Sequence, residues 1–385
     1  MGIRYVVDRD QPFFSHLPLI YGPCGAVSSM DLTGKLPLIS VIVPAYNAAE
    51  TLRSTLVSVL TQTHRHLELW VIDDGSTDHT PALMAALEQE WQDDRLHYAP
   101  CENGGQAIAR NRGIDLSRGD FLAFLDADDT WTPTKLEDQL AALTAHPQAA
   151  VAYSWTDYVD DGGKKLHQGS YVALSGNILA PLMVVNFLEN GSNPLVRRGA
   201  IAQVGLFKPE LVPSEDWDLW IRLAEQFEFV AVPQVQILYR VSPTSQSANV
   251  RRLEKSCLAC LNRGFYRNPP LRPLRRQSFG NLYKYLLHKA LDGAISTDRQ
   301  APLKRFILAV RLFLNLLIRC PKFLIKRLTI KTITRLLLIM IYSLPLVGKL
   351  LAGGIKIGDR LTKIDALLGH IKLPTQPINL SDIQS

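Results

Sequence analysis

The sequence predicts an α/β fold, a mostly parallel sheet covered by helices, followed by a basic helical C-terminal region. Three observations carry that expectation. Short apolar and β-branched runs recur between Leu38 and Asp129, helical periodicity fills the gaps between them, and turn residues or carboxylates close each run. LISVIVP, from Leu38, reads as a first buried strand, with a helix from about Ala49 to Thr61. HLELWVIDD is a second strand, after which Thr80 suits an N-cap and Pro81 the first helical position. RLHYAP is a short third strand before a helix containing Ile108 and Ile114, and FLAFLDADD is a fourth, before a helix from about Thr134.

Sheets of this kind place ligands beyond the carboxyl ends of their strands. That rule gathers Pro44 to Asn47, Asp73 and Asp74, and Asp126 to Asp129 along one edge. Carboxylates crowded at a strand end repel one another, so their clustering calls for a positive partner. A hard divalent cation, Mn²⁺ or Mg²⁺, takes one or two carboxylates and completes its shell with phosphate oxygens and water. The competing structural reading is that Asp129 and Thr130 only cap a turn.

The chain has 385 residues, 47% of them hydrophobic, enough for one large core or two modest ones. Its five scattered cysteines argue against a secreted disulfide framework, and its N-terminus lacks the arrangement of a signal peptide, so a cytoplasmic protein is expected. Residues 1–37, with Pro12, Pro18, Pro23 and Pro37, read as a loose extension, and 38–250 as the main domain. The net charge of +6 conceals a division: between Arg251 and Arg360 there are 23 Lys/Arg against 4 Asp/Glu, so the rest is acidic.

Five segments in order, SVIVPAYNAAETL, ELWVIDDGSTD, ENGGQAIARNRG, FLDADD and SEDWDLWIRLA, resemble the signature of family 2 of the nucleotide-sugar glycosyltransferases, which have the GT-A fold. The resemblance spans roughly Leu38 to Ser247 and implies transfer of a sugar from a UDP-sugar with inversion. By that resemblance Pro44, Tyr46 and Asp74 hold the uracil base, with Asn47 and Asp73 beside them. Arg110 approaches the ribose or phosphates, Asp126 lies near the ribose and donor sugar, and Asp128 is the metal ligand. Asn103, Gly104 and Gly105 form a close-approach loop. Inversion needs a base opposite the diphosphate, for which Asp216 is the candidate, with Glu215 and Trp217 on the acceptor side. Trp220 and Leu223 read as the buried stripe of the same helix.

Two departures from the family pattern matter. Where many relatives place a histidine near the metal, Ser242 and its neighbours offer none, which leaves a third protein ligand in doubt. The Gln-x-x-Arg-Trp of polymerising relatives is missing, so addition of a single sugar is expected. The acceptor is expected to be a hydroxyl of a glycan or lipid-linked glycan in cell-surface polysaccharide or glycolipid synthesis, the alternative being a polyprenyl phosphate.

Residues 251–385 read as a basic, apolar helical region on the inner face of the cell membrane. Lys304, Arg311, Asn315 and Arg319 mark one stripe, and Lys322, Lys326, Lys331 and Arg335 continue the basic pattern. The apolar run Leu336 to Gly348 is interrupted by Pro345 and is too short to span a bilayer. The alternative is a helical subdomain packed on the main domain. Other function classes fit less well: there is no Gly-x-Gly-x-x-Gly turn after the first strand for a dinucleotide, and the tail is too apolar and too poor in interleaved aromatics for nucleic acid. Cys257-x-x-Cys260 lacks a second ligand pair for zinc.

Overall fold

The computed structural model describes residues 37–241, 249–292 and 301–319. Four parallel strands form its first half: β1 (Ile39–Ala45), β2 (Leu67–Asp73), β3 (Leu96–Pro100) and β4 (Phe121–Phe124), in the order β3-β2-β1-β4. Helices α1 (Leu52–Leu60), α2 (Thr80–Trp91) and α3 (Gln106–Leu116) make the crossovers. Strand β1 shows why the sheet is covered on both faces. Its Val41 and Val43 pack into one core, which also holds Leu52 and Leu56 of α1, while Ile42 packs into the other with Ala107 and Ile114 of α3. Thr80 is the first residue of α2, not its cap, and its hydroxyl accepts from the amide of Ala48.

The sheet continues through a section the sequence reading did not resolve into strands. After β5 (Thr130–Trp131) and α4 (Lys135–Ala145) come β6 (Ala149–Val159), β7 (Lys165–Gln168), α5 (Leu179–Val184), β8 (Leu195–Arg197), α6 (Arg198–Val204), α7 (Glu215–Ala224) and β9 (Glu228–Arg240). Strand β8 pairs antiparallel with β4 and β6, and β9 runs parallel to β6, giving the path β3-β2-β1-β4-β8-β6-β9-β5. The helix-covered parallel sheet is therefore extended by a mixed half, which brings the ends of β6 and β9 beside the end of β4.

Helices α8 (Val250–Arg267), α9 (Arg275–Asp292) and α10 (Ala301–Arg319) follow. Leu253, Cys257 and Leu261 of α8, Leu282 and Leu286 of α9, and Leu312 and Leu316 of α10 lie in the same core cluster as Trp220 and Ile221 of α7. A boundary at residue 250 does not separate two cores, and as far as residue 319 this region is packed on the sheet-bearing half.

Two members of the basic stripe on α10 engage neighbouring helices. Arg311 ion-pairs with Glu254 of α8, and Arg319 stacks 4.7 Å from the ring centroid of Tyr283 on α9. Facing out instead are Ile307, Leu314 and Ile318, 55%, 53% and 73% exposed. Lys322, Lys326, Lys331, Arg335, the run 336–348 and Ser242 lie outside the described residues. No described helix is long and apolar enough to cross a membrane.

Candidate active site

The carboxyl ends of β1, β2 and β4 meet as expected, since Ala45 pairs with Asp73 and Ile42 with Phe124. Tyr46 is 53% exposed beside half-buried Pro44, leaving an aromatic face open to a base. Asn47 supports that turn in a left-handed conformation (φ 50°), its side-chain oxygen accepting from the amides of Thr77 and Asp78 at 2.8 and 3.3 Å. Asp73 is buried and accepts from the Ser76 amide (2.9 Å) and the Tyr98 hydroxyl (2.6 Å). Asp74 accepts from the amides of Gly104 and Gly105 at 2.7 and 2.8 Å, while Asn103 donates to the Asp74 carbonyl. The loop 103–105 is thus clasped by Asp74, and a ligand N–H would share an oxygen already in use. Gly75 (φ 73°) makes the close approach possible, because a Cβ there would stand 2.9 Å from the Asn103 nitrogen.

Arg110 is not available to a phosphate in the manner the resemblance implies. It is 1% exposed, donates to Asp126 at 2.5 Å and to Glu215 at 2.7 Å, and lies 5.3 Å from the Phe207 ring centroid. Burial acts to lower its pKa, and the facing carboxylates of Asp126, Glu215 and Asp216 more than reverse this. Gln106 also donates to Glu215. Glu215 is therefore a buried partner of Arg110, not an acceptor-side group. Trp217 is corrected likewise: it is buried, and its indole N–H donates to the Leu182 carbonyl at 3.0 Å. Trp220 is fully buried, as its place in the helical stripe implied.

Three aspartates with three different surroundings stand beyond the end of β4. Asp126 is held by Arg110. Asp129 is fully buried and turned inward, accepting from the Ser192 hydroxyl (2.6 Å) and the Arg240 amide (3.0 Å). Asp128 is half-buried, and Arg240 places its Nε on the Asp128 carbonyl oxygen, not on the carboxylate. Burial, reinforced by the charge of Asp126, pushes Asp128 up to about 6. Among the described residues no three metal-ligating side chains converge. The donor set suits a hard cation taking one carboxylate from the protein and its remaining ligands from phosphate and water.

Asp216 lies half-buried in the first turn of α7, its carboxylate accepting from the Trp217 amide at 2.7 Å. Burial and then neighbouring Glu215 push its carboxyl up to about 7, with Arg110 opposing. Arg110 and Glu215 bridge it to Asp126 on the donor edge. The Nε of Arg110 and the Oε2 of Glu215 are buried without a hydrogen-bond partner in the protein.

The sequence reading missed the loop Glu189–Ser192, which joins the two sides. The Ser192 hydroxyl accepts from the Asp126 amide (3.0 Å) while donating to Asp129. Gly191 lies against Arg110, where a Cβ would stand 2.9 Å from a guanidinium nitrogen. Glu189 (φ 72°) accepts from the Ser170 amide at 3.1 Å, and burial pushes its carboxyl up to about 8. The Tyr158 hydroxyl stands 3.4 Å from Glu189, and its ring lies 5.2 Å from that of Tyr239, at paired positions of β6 and β9. The segment ENGSN reads as a plain turn in the sequence, and the burial of its Asn190, Ser192 and Asn193 appears only in the fold.

The family model described as Glycosyl transferase family 2 matches residues 40–204. The "Putative teichuronic acid biosynthesis glycosyltransferase TuaG" of Bacillus subtilis (strain 168) is 32% identical over 230 residues, 57% of this chain and 84% of that protein. An uncharacterized glycosyltransferase of Rickettsia felis is 29% identical over 191 residues, 49% of this chain and 31% of that protein. Among solved structures, S. aureus TarS 1-349 in complex with UDP aligns over 72% of this chain and 88% of that one, at 19% identity and a TM-score of 0.45.

Proposed function

This chain belongs to glycosyltransferase family 2, and from that premise we propose that it moves a single sugar from a UDP-sugar, with inversion, to a hydroxyl of a glycan or lipid-linked acceptor. The observation that supports this most is the bridge Asp126–Arg110–Glu215, which fixes the donor carboxylates and Asp216 relative to each other through one buried guanidinium. In this reading Asp216 takes the proton of the acceptor hydroxyl as that oxygen attacks the anomeric carbon. The bond to the UDP oxygen breaks on the opposite face, and UDP leaves as the diphosphate anion.

Tyr46 and Pro44 receive the base, while Asp73, Asp74 and Asn47 hold the loops around it. Asp128 would hold Mn²⁺ or Mg²⁺, which when bound offsets the charge developing on the diphosphate. Asp126, paired to Arg110, faces the ribose and the donor sugar. Tyr158, Tyr239 and Glu189 flank the acceptor: the aromatic faces suit pyranose C–H surfaces, and a protonated Glu189 suits donation to an acceptor oxygen. The Bacillus relative's name supports cell-surface polysaccharide synthesis as the setting. The basic, apolar C-terminal region is the ground for placing the protein peripherally on the cytoplasmic face of the membrane.

The test is release of UDP across a panel of nucleotide sugars, with and without candidate glycan acceptors. Acceptor-dependent release from one UDP-sugar is expected. Release from none of them, or from guanosine-linked sugars alone, would refute the donor assignment.

A further inference from the structure

The turn between α8 and α9 and the end of α10 border an open cavity of about 470 Å³ lined by Arg272, Arg275, Arg276, Phe279, Ile318 and Arg319. Its four guanidiniums stand together at one cavity. Arg263, Arg267 and Arg311 pair with Glu210, Glu225 and Glu254, whereas among the described residues none of the four has a carboxylate within ion-pair distance. They bond neutral oxygens instead: Arg276 to the Arg319 carbonyl (2.9 Å), Arg275 to the Asn262 amide (3.0 Å) and Arg319 to the Asn315 amide oxygen (2.9 Å). Arg275 and Arg319 also flank the Phe279 ring at 5.3 and 5.9 Å. Like charges gathered over an apolar floor repel until an anion joins them, and forked guanidiniums match phosphate oxygens.

A second feature tells which phosphate fits. Ile318 lines the cavity and also ends the outward row Ile307, Leu314, Ile318. A ligand meeting both needs a phosphate with hydrocarbon attached. We propose that this cavity binds the phosphate headgroup of an anionic lipid, with α10 lying in the interface so that its outward isoleucines and leucine face the acyl chains. The proposal rests on the membrane placement given above and not on the transfer chemistry, so either can fail alone.

The experiment is co-sedimentation of the full chain with phosphatidylcholine vesicles made with and without phosphatidylglycerol. The triple variant Arg272→Gln/Arg275→Gln/Arg276→Gln is compared with Arg112→Gln/Arg118→Gln/Lys208→Gln, which removes the same charge from exposed positions elsewhere. At low salt the cavity variant should partition about a hundredfold more weakly to anionic vesicles and the control about as well as wild type. Arg272→Glu alone, at an exposed position, should weaken binding about tenfold and covers the case in which the triple variant misfolds. Equal loss in the cavity and control variants would reduce the effect to general charge and overturn the proposal. So would failure of wild type to bind, or its complete displacement by millimolar inorganic phosphate, which would make the site one for a free anion.

Discussion

The cleft treats its carboxylates in two opposite ways. Asp73 and Asp74 each accept two short hydrogen bonds from amides or a hydroxyl, and so serve as fixed anchors for the loops that shape a base pocket. Asp128, Asp216 and Glu189 are buried with less compensation, and burial raises all three, to about 6, 7 and 8. The first pair builds shape; the second group remains available for a cation or a proton. The Arg110 bridge ties Asp126 to Glu215, next in sequence to Asp216, and the loop Glu189–Ser192 runs beside it.

Substitutions can break this contrast, and the largest effect is expected at Asp128. Asp128→Ala should abolish transfer and weaken UDP binding while the fold persists. Because a proton competes with the cation for this carboxylate, wild-type metal affinity should fall as pH drops through about 6. Full activity of Asp128→Ala in excess chelator would exclude the metal role. Asp216→Asn should lower transfer by about two to four orders of magnitude with UDP affinity kept, as removal of a general base requires. Lost UDP binding with an unchanged chemical step would move Asp216 to the donor side.

At the bridge the expected effect is on stability. Arg110→Met leaves Glu215 buried without its cation, and unfolding in urea should show a loss of about 3–5 kcal/mol, the usual cost of breaking a buried pair from one side. A loss within about 0.5 kcal/mol, as at ordinary surface positions, would show that the bridge is dispensable. The smallest effect is expected at Glu189. Glu189→Gln keeps the shape and a donor, so acceptor KM should change by no more than about threefold, whereas Glu189→Ala should raise it about tenfold. Donor KM should not move in either. Equal acceptor KM for Glu189→Ala and wild type would remove Glu189 from the acceptor side.

The strand-end edge was legible in the sequence because strand ends and Asp-Gly turns are local signals: β1, β2, β3 and β4 fall where the apolar runs stand, and sheet register brings Asp126 and Asp128 to the same edge as Asp73 and Asp74. The acceptor side was not. Glu215 and Trp217 were placed there from the helical segment EDWDLW, but the direction of α7 is set by its packing on α5, α6 and α8, which turns Trp217 into the core and Glu215 onto Arg110. Ser192 and Tyr158 reach the site only because β8 and β6 fold back beside β4, a long-range pairing with no local pattern. On α10 the sequence showed a basic stripe but not its partners, Glu254 for Arg311 and the α9 aromatics for Arg319, which come from other helices.

The division between anchoring and reacting carboxylates is tested most directly by the pH dependence of kcat/KM for the acceptor, at saturating donor and metal, in wild type and Asp216→Asn. A base must be ionised to accept a proton, so wild-type log kcat/KM should rise with unit slope up to about pH 7 and then level. Asp216→Asn should be slow and lack that limb. The same limb near pH 7 in both proteins, or a wild-type profile flat from about pH 5 to pH 9, would contradict the assignment of Asp216 as the base.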